Sequence, residues 1–210
     1  MISVEVFSDV VCPWCFIGKR NLEKALTSLN KSEHKNIKIN WRSFQLNPQL
    51  PMRGITRSEY TSTKFGGAER AAQIYERISG AAMEVGLNLD FEKIVTQPNS
   101  SRMHALVYAA ESVQKDHELV EGFFKAFFID GMDLTERDNV SFIAKSVGLE
   151  TTLIDRVFSD DLYLDKIDED MQRSAKIGIQ GVPFFIINQK VGLSGAQPPE
   201  NIVRAIEQSI

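Results

Sequence analysis

Ser8-Asp9-Val10-Val11-Cys12-Pro13-Trp14-Cys15-Phe16-Ile17-Gly18-Lys19 holds both cysteines of the 210-residue chain, and its flanks decide what they stand on. Upstream, Ile2-Ser3-Val4-Glu5-Val6-Phe7 is β-branched and partly alternating, which predicts a strand ending near Ser8-Asp9. Downstream, Phe16, Leu22, Leu26 and Leu29 recur at helical spacing with Lys19, Arg20, Glu23 and Lys24 between them, predicting an amphipathic helix over about 13–29. Its first turn contains both cysteines. Ile37-Lys38-Ile39-Asn40-Trp41-Arg42 then alternates strictly between apolar and polar, as a half-buried strand does. The N-terminal portion therefore reads as β-α-β.

The far end reads as β-β-α. Val182-Pro183-Phe184-Phe185-Ile186-Ile187 and Lys190-Val191-Gly192-Leu193 flank Asn188-Gln189 as two strands flank a tight turn. Pro198 and Pro199 suit the opening turn of a last helix whose apolar face is Ile202, Val203, Ile206 and Ile210. Between the two ends the chain reads as successive helices. Thr56-Arg57-Ser58-Glu59 fits a capping box, and a helix over 68–85 turns Ile74, Ile78, Ala82 and Val85 inward before Gly86. Another follows Pro98-Asn99-Ser100 with Met103, Leu106, Val107 and Ala110 as its stripe, and Leu119–Phe128 forms a third, rich in phenylalanine. Further helices are expected from Thr135 to Gly148, over 151–158, and from Asp160 to Ile177. The layout is an α/β fold in which residues 1–51 and 159–210 form one domain and residues 52–158 are a helical insertion.

Composition excludes several classes. The net charge of −4 argues against a phosphate-binding surface, hence against nucleic acid. No apolar run approaches the ~20 residues that a bilayer requires, and Met1-Ile2-Ser3-Val4-Glu5 offers no basic export leader, so a cytoplasmic protein without a membrane partner is expected. Two cysteines cannot make a disulfide scaffold.

Their spacing suits chemistry instead. A thiol attacks as thiolate, and a free cysteine near pKa ~8.5 is mostly protonated at neutral pH. At a strand-to-helix handover, unpaired amides and the positive helix end favour a negative sulfur, so Cys12 is the expected nucleophile. Cys15, one turn later, is expected to be more buried and to resolve the mixed disulfide. Pro13 suits an early helical position, and Trp14 offers an exposed face as a substrate contact. The same pair is also half of a zinc site, but beyond it the chain has only His34, His104 and His117, none in paired spacing, so no metal is assigned. His104 reads as a packed or surface histidine, Lys19 and Arg20 as the wet face of their helix, and the Phe123–Phe128 segment as core. Pro183 at a strand's first residue suggests a special backbone.

The stretch Ser8–Lys19 followed by Gly181-Val182-Pro183-Phe184-Phe185 resembles the DsbA-type thioredoxin fold, specifically its FrnE-like cytoplasmic branch, across the whole chain. The resemblance implies a large helical insertion in a thioredoxin fold. It also implies a cis-proline loop at Val182-Pro183 that lies against the cysteines and meets an extended substrate. Kappa-class glutathione transferases and 2-hydroxychromene-2-carboxylate isomerases are similar around Asn99-Ser100-Ser101-Arg102-Met103-His104, but typically place serine where Cys12 stands and lack Cys15. The expected function is therefore thiol-disulfide exchange through a redox-active Cys12–Cys15 disulfide, with no other cofactor and with protein or small-molecule disulfides as partners. Glutathione is a candidate co-substrate, and monomer and homodimer both stay open. The alternatives are a glutathione-dependent transferase or isomerase, and a zinc-binding redox sensor. DsbA carries an acidic residue six positions before its nucleophile, where this chain has Val6, so its redox poise is not carried over.

Overall fold

Strand β1 (Ile2–Ser8) is buried along nearly its whole length because it lies inside a four-stranded sheet of order β2-β1-β5-β6. The structure is a computed structural model that describes residues 1–29 and 37–210. Parallel β2 (Ile37–Ser43) pairs with β1 in the register Val4↔Ile39 and Val6↔Trp41. Antiparallel β5 (Phe184–Ile187) flanks β1 on the other side through Val6↔Phe185, and β6 (Val191–Ser194) closes the hairpin. The hairpin loop spans residues 188–190, with Asn188 at φ 48° and Gln189 at φ 57° in the left-handed region, and Lys190, expected in the second strand, instead closes the turn by donating its amide to the Ile187 carbonyl at 3.0 Å. The Asn188 carboxamide also accepts from the Ser3 amide at 2.9 Å and donates to the Ser209 carbonyl at 3.3 Å, tying the turn to both chain ends.

Helix α1 (Pro13–Ser28) connects β1 to β2 and packs on α9 (Pro199–Ser209). The segment between the sheet halves holds α2 (Arg57–Phe65), α3 (Ala68–Glu84), α4 (Ser101–Glu111), α5 (Asp116–Phe128), α6 (Arg137–Ser146) and α7 (Thr151–Ser159), followed by α8 (Leu164–Lys176). The Thr56/Glu59 capping box is present in both directions at the start of α2. Helix α4 is buried on nearly every side, from Met103 to Ala110, rather than along one stripe.

Several expectations need correction. The helix expected from Asp160 begins at Leu164, because Asp161 (φ 51°) and Tyr163 (φ 70°) break the backbone before it. The helix expected from Thr135 begins at Arg137, since the Thr135 amide and hydroxyl both donate to the Asp133 carboxylate and hold a turn there. Ile210 is 76% exposed and stands off the apolar face of α9. Strands β3 (Ile55–Thr56) and β4 (Thr96–Gln97) form a separate two-stranded pairing with no sequence signal, because two residues show no periodicity. Gly54 (φ 70°) leads into it; a Cβ there would stand 2.6 Å from the Gln97 carbonyl.

Candidate active site

Where β1 runs out, Asp9–Val11 turn the chain and Cys12 becomes the N-cap of α1 in extended conformation (φ −103°, ψ 113°). The Cys12 amide donates to the Asp9 carbonyl at 3.0 Å, and the Cys12 carbonyl accepts from Cys15 at 3.0 Å and Phe16 at 3.4 Å. Pro13 takes the first helical position, where its missing N–H leaves no helical bond unmade. Cys15 then falls one turn into the helix, 1% exposed, with its sulfur in contact with that of Cys12. Burial first, and the neighbouring Cys12 sulfur second, push the Cys15 thiol well above the ordinary thiol range. Both thiols are free.

The second half of the site comes from the loop before β5. Its Val182-Pro183 bond is cis, and the Val182 carbonyl accepts the Cys12 S–H at 3.6 Å. Strand β5 starts at Phe184, not at Val182 as the apolar run suggested, since Val182 faces Cys12 and Pro183 lacks an amide to donate. The Pro183 ring is buried against α1 at Gly18, where an added Cβ would meet its Cγ at 2.7 Å.

A cavity of about 240 Å³ opens beside Cys12. Cys12, Pro13, Trp14 and Val182 form one wall, while Pro183 sits behind it and does not line it. Trp14 is 39% exposed at this wall. The opposite wall comes from the helical segment: Arg57 and Tyr60 of α2, Tyr75 of α3, and Phe91. Arg57 was legible only as part of a capping box, and the three aromatic rings carry no local signal. Phe128 is core, as its segment predicts, and it also reaches the cavity. Burial pushes the Tyr60 phenol up to about 12, so it stays neutral.

Beneath the cysteine turn lies Asp9, fully buried. Its carboxylate accepts from the Leu46 amide at 2.8 Å and the Val11 amide at 3.4 Å, which fastens the turn to the chain following β2. His104 is 5% exposed with Nε2 at 3.4 Å from Asp9 Oδ1, a packed position as its sequence context suggests. Lys19 does not belong to a wet helix face: it is 2% exposed and paired with Glu23 and Glu121, because α5 crosses α1 there and supplies the countercharge. Among the described residues no three of His, Cys, Asp and Glu converge to hold a metal; His34 lies outside them.

A family profile described as DSBA-like thioredoxin domain matches residues 3–207. The uncharacterised Bacillus subtilis protein YwbO is 26% identical, over 98% of this chain and 96% of its own length. The crystal structure of a probable DsbA oxidoreductase from Streptomyces coelicolor superimposes with a TM-score of 0.90 at 27% identity, covering 100% of this chain and 90% of that one. The fold is shared as well with the cytosolic disulfide reductase DsbM from Pseudomonas aeruginosa. There the TM-score is 0.66 at 16% identity, over 98% and 97% of the two chains, and that protein has also been solved with GSH.

Proposed function

The chain belongs to the DSBA-like thioredoxin-domain family, and from that membership we propose that it is a thiol-disulfide oxidoreductase acting through Cys12 and Cys15. The observation that carries this reading is the division of labour between the sulfurs. Cys12 faces the cavity and the Val182 carbonyl, while Cys15 is held behind it as a buried, protonated thiol. In the reducing direction the Cys12 thiolate attacks one sulfur of a substrate disulfide, forming a mixed disulfide and releasing the other substrate sulfur as thiolate. Cys15 then gives up its proton and attacks the Cys12 sulfur, releasing the second substrate thiol and leaving Cys12–Cys15 oxidised. Trp14 and Val182 contact the substrate from the rim, with Pro13 and Pro183 shaping the wall behind them.

A cytosolic setting is reducing, so reductase or isomerase turnover is the natural direction there. The Pseudomonas DsbM, named a cytosolic reductase and solved with GSH, supports glutathione as the thiol that regenerates the pair. The small cavity beside Cys12 also favours a second reading, a glutathione-dependent transferase or isomerase using Cys12 alone. Reduction of insulin or of a scrambled protein, followed in the wild type, Cys12→Ser and Cys15→Ser, tests both. Cys12→Ser is expected to abolish turnover, and turnover that survives it refutes the exchange mechanism. A Cys15→Ser protein with undiminished turnover would favour the transferase reading.

A further inference from the structure

The cavity beside Cys12 contains a cation whose charge is not answered. Arg57 is largely withdrawn from water, and among the described residues it forms no ion pair. Its guanidinium donates to Gln97 Oε1 and lies 5.0 Å from the ring centres of both Tyr60 and Tyr75, while its Nε is buried with no hydrogen-bond partner. Other cations withdrawn to this degree meet carboxylates: Lys19 and Arg20 meet Glu121, and Arg42 meets Glu5. Desolvating a guanidinium without a countercharge is costly, and its planar fork matches a carboxylate in two parallel bonds. Among the described residues the cavity wall contains no Asp or Glu, and its only other ionic group is Lys64. The rest is apolar or aromatic, with Tyr75 and Phe91 stacked at 4.3 Å. A space of about 240 Å³ exceeds the roughly 150 Å³ that accepts benzene, so it takes one ring-sized body rather than a folded chain.

We propose that this cavity is a carboxylate-selecting substrate site. Arg57 binds the carboxylate of a small disulfide whose apolar body lies among Tyr60, Tyr75 and Phe91, which presents its sulfur to Cys12. The proposal rests on the exchange reading for its chemistry: Cys12 sulfur bonds to the bound half, the other half leaves as thiolate, and Cys15 then displaces the bound half as a thiol. The disulfide gains two electrons and the cysteine pair loses them.

Two measurements test it. In the reduced wild type, benzoate is expected to protect Cys12 from alkylation by acrylamide, whereas benzamide and inorganic phosphate are not; Arg57→Gln loses that protection and Arg57→Lys keeps part of it. Separately, the rate with dithiobis(nitrobenzoate) relative to uncharged dithiodipyridine should fall about tenfold or more in Arg57→Gln, the scale of one charge-assisted hydrogen bond. Equal protection of the wild type by benzoate and benzamide, or by phosphate, overturns the proposal without reference to any variant's folding. So does an Arg57→Gln protein that keeps benzoate protection, or one that slows equally with both disulfides. Protection from alkylation needs no turnover, so it fails independently of the oxidoreductase reading, whose failure shows as turnover surviving Cys12→Ser.

Discussion

Gly18 has no side chain because the Pro183 ring occupies the place where one would stand, 2.7 Å from an added Cβ. Proline cannot yield as a flexible chain end does, so Gly18→Ala must move the loop that carries the Val182 carbonyl away from Cys12. We expect the variant to lose about 1–3 kcal/mol of stability, the usual cost of overpacking, and to lose disulfide turnover by a larger factor than its melting shift explains. Thermal melts with insulin reduction check this, and an unchanged protein would contradict the placement. The Cys15 thiol, pushed up by burial, leads to a second expectation. Cys15→Ser should accumulate a mixed disulfide between Cys12 and substrate, visible by intact mass, because no second sulfur remains to release it. The approach of the two cysteine sulfurs was legible from their spacing alone. The burial of Cys15, 1% exposed against 4% for Cys12, was expected from its place in the helix, but Gly18 against Pro183 was not, since the two are distant in sequence.

At the scale of elements, α1 and α5 are joined by a charged clamp and an aromatic stack. Lys19 and Arg20 bind Glu23 and Glu121, His117 meets Glu23 at 3.1 Å, and the rings of Phe16 and Phe124 stack at 4.9 Å. Burial by itself would raise the Glu121 carboxyl, but hydrogen bonds from Arg20 and Lys19 and their charges bring it down to about 2. Glu23 is likewise brought to about 2, against burial, by His117, Lys19 and Arg20. A carboxyl depressed on folding adds stability above its unfolded value and loses it as pH falls through the folded value. The clamp's contribution therefore fades between pH 4.5 and about 2. Glu121→Gln leaves Lys19 buried with one partner fewer, and about 3 kcal/mol should be lost at neutral pH, as when a buried pair is broken. Urea midpoints of wild type and variant should converge as pH approaches 2; a deficit constant with pH would remove the clamp from the account. Sequence periodicity placed both helices but assigned Lys19 and Arg20 to a wet face. A pattern along one helix does not contain the helix that will cross it.

At the scale of the molecule, buried side chains of β1, α1, β5 and α9 form one continuous core with those of α4, α5, α6 and α7. The cavity uses the same continuity, since its Cys12 wall belongs to the sheet-and-helix frame and its Arg57 wall to the segment between the frame's halves. The division into residues 1–51 plus 159–210 and an insertion over 52–158 is thus proposed as a topological description, with the two parts unfolding together. Calorimetry should give one transition with a van't Hoff enthalpy matching the measured enthalpy, and two resolved transitions would refute it. The β-α-β start, the cysteine pair at a helix N-terminus, the tight hairpin and the thioredoxin resemblance were all determined by the sequence itself. The first three depend on neighbours within a few positions, through apolar spacing or a turn pair, and the resemblance rests on two such local motifs, Ser8–Lys19 and Gly181–Phe185, taken in order. The cavity wall, the unanswered charge of Arg57 and the burial of Lys19 were decided only in the tertiary structure. Arg20 finds Glu121 across 101 positions, and Arg57 meets no carboxylate among the described residues. Whether a charge is solvated, paired or left waiting depends on which distant surfaces meet, and no local pattern encodes that.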